Sequence, residues 1–104
     1  MELDNIIREF RSKIETLYGG RFRGIVLYGS WARGTHTEDS DIDLAVILKG
    51  KIRPGLEIDR MINIITDLNL KYNILLSVYP VSEYNYKKLK SPLLMNIRRE
   101  GITA

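Results

Sequence analysis

The stretch from Arg23 to Leu48, RGIVLYGSWARGTHTEDSDIDLAVIL, decides how this chain folds. Its opening, Arg23 to Tyr28, is a short apolar run ending at Gly29, which suits a buried strand. Its close, Asp41 to Leu48, reads as a second strand. On it Asp41, Asp43, Ala45 and Ile47 share one face, and Ile42, Leu44, Val46 and Leu48 the other. The polar segment between them, GSWARGTHTEDS, has room for a single helical turn starting at Ser30.

Outward from this unit, the periodicity changes to that of helices. Leu3, Ile6, Ile7, Phe10, Ile14, Leu17 and Tyr18 recur at helical spacing, and Gly19-Gly20 stops the pattern. Pro54 suits the first turn of another helix, whose stripe is Ile58, Met61, Ile62, Ile65 and Leu68. YNILLSVY, residues 72–79, predicts a third strand ending at Pro80. Ser82 then caps a short helix to about Lys90, while Ser91-Pro92 opens a last helix that stops at Gly101. The order α-β-turn-β-α-β-α-α predicts an α/β (α+β) domain. Its sheet is mixed and three-stranded, with helices packed mainly on one face.

Length and composition bound the chemistry. At 104 residues the chain holds one domain, expected to span residues 1–104. It has no cysteine and a single histidine, His36, which removes disulfides, thiolate metal sites, cysteine nucleophiles and histidine clusters. Carboxylates, hydroxyls, amines, guanidiniums and backbone remain. MELDNIIREF carries acids where an export signal carries bases, and no apolar run approaches the ~18 residues of a membrane span. A cytoplasmic protein is expected. Residues 1–70 hold ten bases and eleven acids, whereas residues 71–104 hold six bases and two acids. Lys87, Lys88, Lys90, Arg98 and Arg99 lack interleaved aromatics or glycines, so solvated helix faces explain them better than a nucleic-acid surface does.

Two features of the deciding stretch carry chemistry. Asp41 and Asp43, two residues apart on a strand, project from one face roughly 6–7 Å apart. Carboxylates so placed raise one another's pKa unless a cation lies between them, and Mg²⁺ takes one or two carboxylates together with substrate phosphates. Opposite them, Gly29 ends a strand without a Cβ, so a phosphate can approach the backbone closely. Ser30 brings a hydroxyl, and Arg33, one turn on, a cationic fork suited to phosphate. Together the two halves make a candidate metal–triphosphate site.

Gly29-Ser30, ten residues, then Asp41-x-Asp43 resembles the signature of the polymerase-beta-type nucleotidyltransferase superfamily, most closely its minimal nucleotidyltransferase (MNT) members. The motif covers residues 26–48. The tail, YPVSEYNYKKL and SPLLMNIRREGI, resembles small prokaryotic members paired with a HEPN-domain protein in toxin–antitoxin modules. The resemblance implies that Gly29 and Ser30 hold the β- and γ-phosphates of ATP or another nucleoside triphosphate. It implies that Asp41 and Asp43 are catalytic and coordinate Mg²⁺ in a two-metal site. The reaction would transfer a nucleotidyl group, AMP first among the candidates, to a hydroxyl and release pyrophosphate.

One departure stands out. Active members of the superfamily usually carry a third carboxylate on the following strand, but no acid lies between Lys71 and Pro80. Ser77 occupies the expected place, and Asp59 and Asp67 on the preceding helix read as solvated. His36 reads as solvated, Trp31 as packed under the loop, and Tyr72, Tyr79, Tyr84 and Tyr86 as core and helix-docking residues. Lys49 and Lys51 flank Gly50 in a turn and are assigned no site.

At this length no acceptor domain is expected, and the acceptor is expected to be a partner protein. The first reading is an antitoxin that transfers AMP to a tyrosine of a HEPN-type toxin. The second is a weak or inactive nucleotide-binding antitoxin that acts by complex formation. A nucleic-acid end-modifying enzyme is the third. The many Ile and Leu residues also leave room for self-association.

Overall fold

The computed structural model describes residues 3–104; Met1 and Glu2, which open the acidic N-terminal stretch, lie outside the described residues. The order is α1 (Leu3–Tyr18), a 3-10 turn (Gly19–Arg21), β1 (Phe22–Tyr28), α2 (Gly29–Arg33), β2 (Ile42–Leu48) and α3 (Pro54–Tyr72). There follow β3 (Leu76–Ser82), α4 (Glu83–Lys88), α5 (Pro92–Glu100) and β4 (Ile102–Thr103). The sheet runs β3-β2-β1-β4, with β1 antiparallel to β2 and β4, and β2 parallel to β3.

The mixed sheet is as the sequence predicts, with one strand more. Beyond Gly101 the chain turns back and Ile102–Thr103 pairs with Leu27 and Val26. Two residues are too few to show a periodicity, so this strand exists only by virtue of its pairing. The predicted third strand is displaced toward the C-terminus. Tyr72 completes α3, Asn73 adopts the left-handed conformation (φ 51°) that ends it, and the strand starts at Leu76. It continues through Pro80 because β3 is an edge strand, where a missing N–H is tolerated.

The alternation along β2 sorts the core. Ile42, Leu44, Val46 and Leu48 join Ile25 and Leu27 of β1 under α1 and α3, which supply Ile6, Phe10, Ile14, Met61, Ile65 and Leu68. On the opposite face a smaller cluster forms from Val26, Ala45, Ile47 and Val81 with Leu94 and Ile97 of α5. Burial of each of these Leu and Ile side chains stabilises the fold by about 1.5–3 kcal/mol. Ile62, expected in the buried stripe of α3, is exposed, and the buried line of that helix instead includes Glu57. Tyr79 and Tyr86 pack on the smaller cluster, as expected of docking residues, but Tyr84 is 73% exposed and belongs to neither cluster. Ser82 and Ser91 cap their helices as expected, accepting from the backbone N–H groups of Asn85 and Leu94. Among the described residues no helix is long and apolar enough to cross a membrane.

Candidate active site

β1 and β2 are antiparallel neighbours, so the end of one lies beside the start of the other. The register pairs Tyr28 with Asp43, and the parallel pairing on the other side sets Ser77 beside Asp43. Asp43 therefore stands in the middle of the sheet on the thinly covered face, flanked by residues of both adjoining strands. Asp41 lies just before the strand and is exposed. The loop that delivers it is tied at its base. Trp31 donates its indole N–H to the Ser40 carbonyl (3.2 Å) and stacks on His36 with ring centroids 3.7 Å apart. Ser40 accepts at Oγ from the Thr37 backbone N–H (2.9 Å) and returns a backbone bond to the Thr37 carbonyl (3.1 Å). Trp31 thus packs under the loop as expected, and the exposed His36 lies against its ring.

Gly29 is required by two independent constraints. Its φ is +72°, a left-handed conformation costly to any residue with a Cβ, and a Cβ there would overlap the Asp43 carboxylate. The backbone can therefore pass against Asp43, and α2 leaves the sheet at once. Gly34, also left-handed, ends that turn by donating to the Ser30 carbonyl, and the Thr35 N–H joins it (3.0 Å).

The electrostatics of the pair are unfavourable in isolation. Asp43 holds its proton more tightly than an ordinary aspartate, first because it is partly desolvated and next because Asp41 repels its charge. The Ser77 hydroxyl and Arg33 act in the opposite direction, while Glu100 adds to the repulsion. Burial and Asp43 also push the Tyr28 phenol up to about 12, so it remains a neutral wall of the site. Two hard carboxylates that repel each other beside an open turn are a donor set suited to a divalent cation such as Mg²⁺. Among the described residues no third acid or histidine converges with them into a metal-holding group.

All five residues singled out in the sequence fall at this end of the sheet, with Gly29 against Asp43 and Arg33 acting on Asp43 through its charge. Ser77 stands beside Asp43 on β3, the strand on which the resemblance leads one to expect a third carboxylate. Asp59 and Asp67 are exposed on α3, as expected. The sequence reading did not find Glu100. Its carboxylate accepts from the Gly29 N–H (3.3 Å) and from Arg33 Nη1 (3.0 Å), bringing a third acid to the turn from the end of α5. Its only trace in the sequence is an acid immediately before the helix-stopping Gly101.

Residues 7–103 match the model of the family described as polymerase beta, nucleotidyltransferase. A Methanocaldococcus jannaschii protein named "Putative protein adenylyltransferase MJ0604" is 33% identical over 102 residues, 97% of this chain and 96% of the relative. Among solved structures, a toxin–antitoxin crystallised with AMP-PNP is similar in fold (TM-score 0.63, 17% identity, covering 90% of this chain and 68% of that one). So is one described as "Structure of putative minimal nucleotidyltransferase" (TM-score 0.58, 22% identity, covering 98% and 95%). The chain belongs to the polymerase beta nucleotidyltransferase family, and the small mixed sheet with Gly29, Asp41 and Asp43 at one end is a nucleotidyltransferase fold.

Proposed function

We propose that this chain is a Mg²⁺-dependent nucleotidyltransferase that transfers AMP from ATP to a hydroxyl of a partner protein, the partner being a HEPN-type toxin and the chain its antitoxin. The observation that carries this reading is Asp43, pressed against the Cβ-less Gly29 turn, its proton affinity raised by desolvation and by Asp41. The adenylyltransferase name of the relative and the AMP-PNP toxin–antitoxin neighbour support the nucleotide and the kind of partner. The resemblance of the tail supports the HEPN identity, and a nucleoside triphosphate substrate fits a cytoplasmic location. The 1–104 chain acts as one catalytic unit, with the acceptor supplied by the partner.

In this reading Asp41 and Asp43 hold Mg²⁺, which supplies charge neutralisation at the triphosphate when bound. The Gly29 N–H, the Ser30 hydroxyl and the Arg33 guanidinium take phosphate oxygens and hold the chain of phosphates in line. The acceptor oxygen forms a bond to the α-phosphorus as the bond to the β-phosphate oxygen breaks. Pyrophosphate leaves, and the acceptor's proton passes to water or to the partner. No acid on β3 takes it, because Ser77 stands there.

That same serine favours a second reading, in which the chain binds nucleotide and neutralises its partner by complex formation with little or no turnover. Incubation with α-labelled ATP, Mg²⁺ and a HEPN-domain protein, sought among the products of adjacent genes, separates the two. Label on the partner that disappears in the Asp41→Asn/Asp43→Asn double variant is the expected result. An unlabelled partner still held by that double variant would establish the second reading instead.

A further inference from the structure

The donors that this reading assigns to the triphosphate already hold an anion, and it comes from the chain itself. One oxygen of Glu100 receives both the Gly29 N–H (3.3 Å) and the Arg33 guanidinium (3.0 Å). The carboxylate is set there by the end of the fold rather than by chance surface contact. In the β1–β4 ladder Val26 faces Thr103 and Leu27 faces Ile102, so the same register carried on brings Glu100 toward Gly29. α5 closes with the Gly101 N–H donating to the Ile97 carbonyl (2.8 Å), and a Cβ on Gly101 would run into that carbonyl and into Val26. After β4, the Ala104 N–H donates to the Ile25 carbonyl (2.9 Å), and Arg11 Nη1 donates to the Ala104 carbonyl (2.6 Å). Glu100 is clamped on both sides, with its side chain 20% exposed.

A carboxylate oxygen held by one backbone N–H and one guanidinium has the charge and the donors that a phosphate oxygen would take. A direct metal-ligand role suits it less well, since among the described residues no third acid joins Asp41 and Asp43 in a metal-holding group. Its negative charge also opposes that of Asp43.

We propose that Glu100 is an intramolecular competitor for the triphosphate. It occupies the Gly29 N–H and Arg33 until a phosphate displaces it, and so sets the affinity of the site for nucleotide. The proposal rests on the reading of Gly29 and Arg33 as phosphate ligands. Displacement exchanges one charge-assisted hydrogen-bonded pair for another and needs only rotation of a partly exposed side chain. The apparent affinity for phosphate is reduced by the fraction of molecules in which Glu100 holds the seat.

The test is calorimetric titration of the full chain with inorganic tripolyphosphate, without divalent metal, and with ATP in the presence of Mg²⁺. Glu100→Gln keeps the shape of the side chain and removes its charge. It is expected to bind tripolyphosphate about tenfold more tightly than the unmodified chain. Arg33→Ala should weaken binding, and adding Glu100→Gln to it should recover much less than tenfold, because the two residues act through one seat. If the unmodified chain binds and Glu100→Gln binds equally or more weakly, the competitor role is overturned. If neither binds either probe, the phosphate-ligand reading fails and the inference with it. Should Glu100→Gln unfold, Glu100→Asp retracts the carboxylate by one methylene. Tighter binding by that variant supports competition, and unchanged binding overturns it.

Discussion

Glu57 and Asp43 are two carboxylates drawn out of water at opposite ends of the same sheet, and their neighbours differ in kind. Glu57, in the first turn of α3, is 3% exposed and accepts from the Tyr18 hydroxyl at 2.8 Å. Arg60 lies 3.4 Å and Arg21 3.9 Å from its oxygens. It is a closed arrangement: the acid's lone pairs are used, its charge is matched, and the Tyr18 phenol is held protonated by burial and by that carboxylate. Asp43 is less buried, and the repulsion of Asp41 and Glu100 on it outweighs, together with desolvation, the opposing pull of Ser77 and Arg33. Here the repulsion is only partly offset. A folded chain tolerates unmatched charge when a ligand relieves it, so the first carboxylate holds structure and the second, in the function proposed above, receives a cation.

The comparison can be broken by substitution. The largest effect is expected from Asp41→Asn/Asp43→Asn, which should lower transfer of label from ATP by about 10³-fold or more. Thermal melting of the same variant should stay level or rise, because a repulsive pair is removed. A large drop in melting temperature would make Asp43 a structural acid after all. Glu57→Ala should do the reverse. With the Tyr18 hydroxyl left unpaired and two guanidiniums unmatched, urea unfolding should show a loss of about 2–3 kcal/mol. Nucleotide binding by the folded fraction should be unchanged. Gly29→Ala combines left-handed strain with overlap on Asp43, and should cost about 1–2 kcal/mol while weakening nucleotide binding.

The smallest effect near neutral pH concerns protons. Because the Asp43 pKa is raised, its proton must leave before a cation binds, and Mg²⁺ affinity should fall on acidification at a pH above the ordinary aspartate range of about 3.9. With one proton displaced, the slope is at most about tenfold per pH unit. The sign for stability is opposite. A raised folded-state pKa means that Asp43 favours the metal-free fold below its unfolded pKa, and that this contribution is lost as pH rises through the folded pKa. An affinity for Mg²⁺ that stays flat until the ordinary aspartate range would contradict the crowded pair.

Legibility in the sequence followed the range of the interaction. The strand ending at Tyr28, the turn at Gly29-Ser30 and the Asp41-x-Asp43 pair are visible because each rests on a local pattern: a short apolar run, a residue without Cβ, and carboxylates at i and i+2. The same is true of the serine caps at Ser82 and Ser91. The start of β3 is hidden in the sequence because the apolar residues Tyr72, Ile74 and Leu75 extend the strand's apolar run back into the helix. Asn73 and the Asn69 side chain, which accepts from the Leu76 N–H at 2.9 Å, decide where helix ends and strand begins.

The sequence by itself determined the local chemistry: two acids on one face of a strand, a glycine turn before them and a guanidinium one turn on. Tertiary structure alone decided what those groups meet. Glu100 reaches Gly29 across 71 positions and Glu57 reaches Tyr18 across 39. Neither contact has a period or spacing to betray it. Each depends on strand register and helix docking, and these are settled only when the apolar faces of α1, α3 and α5 leave water together.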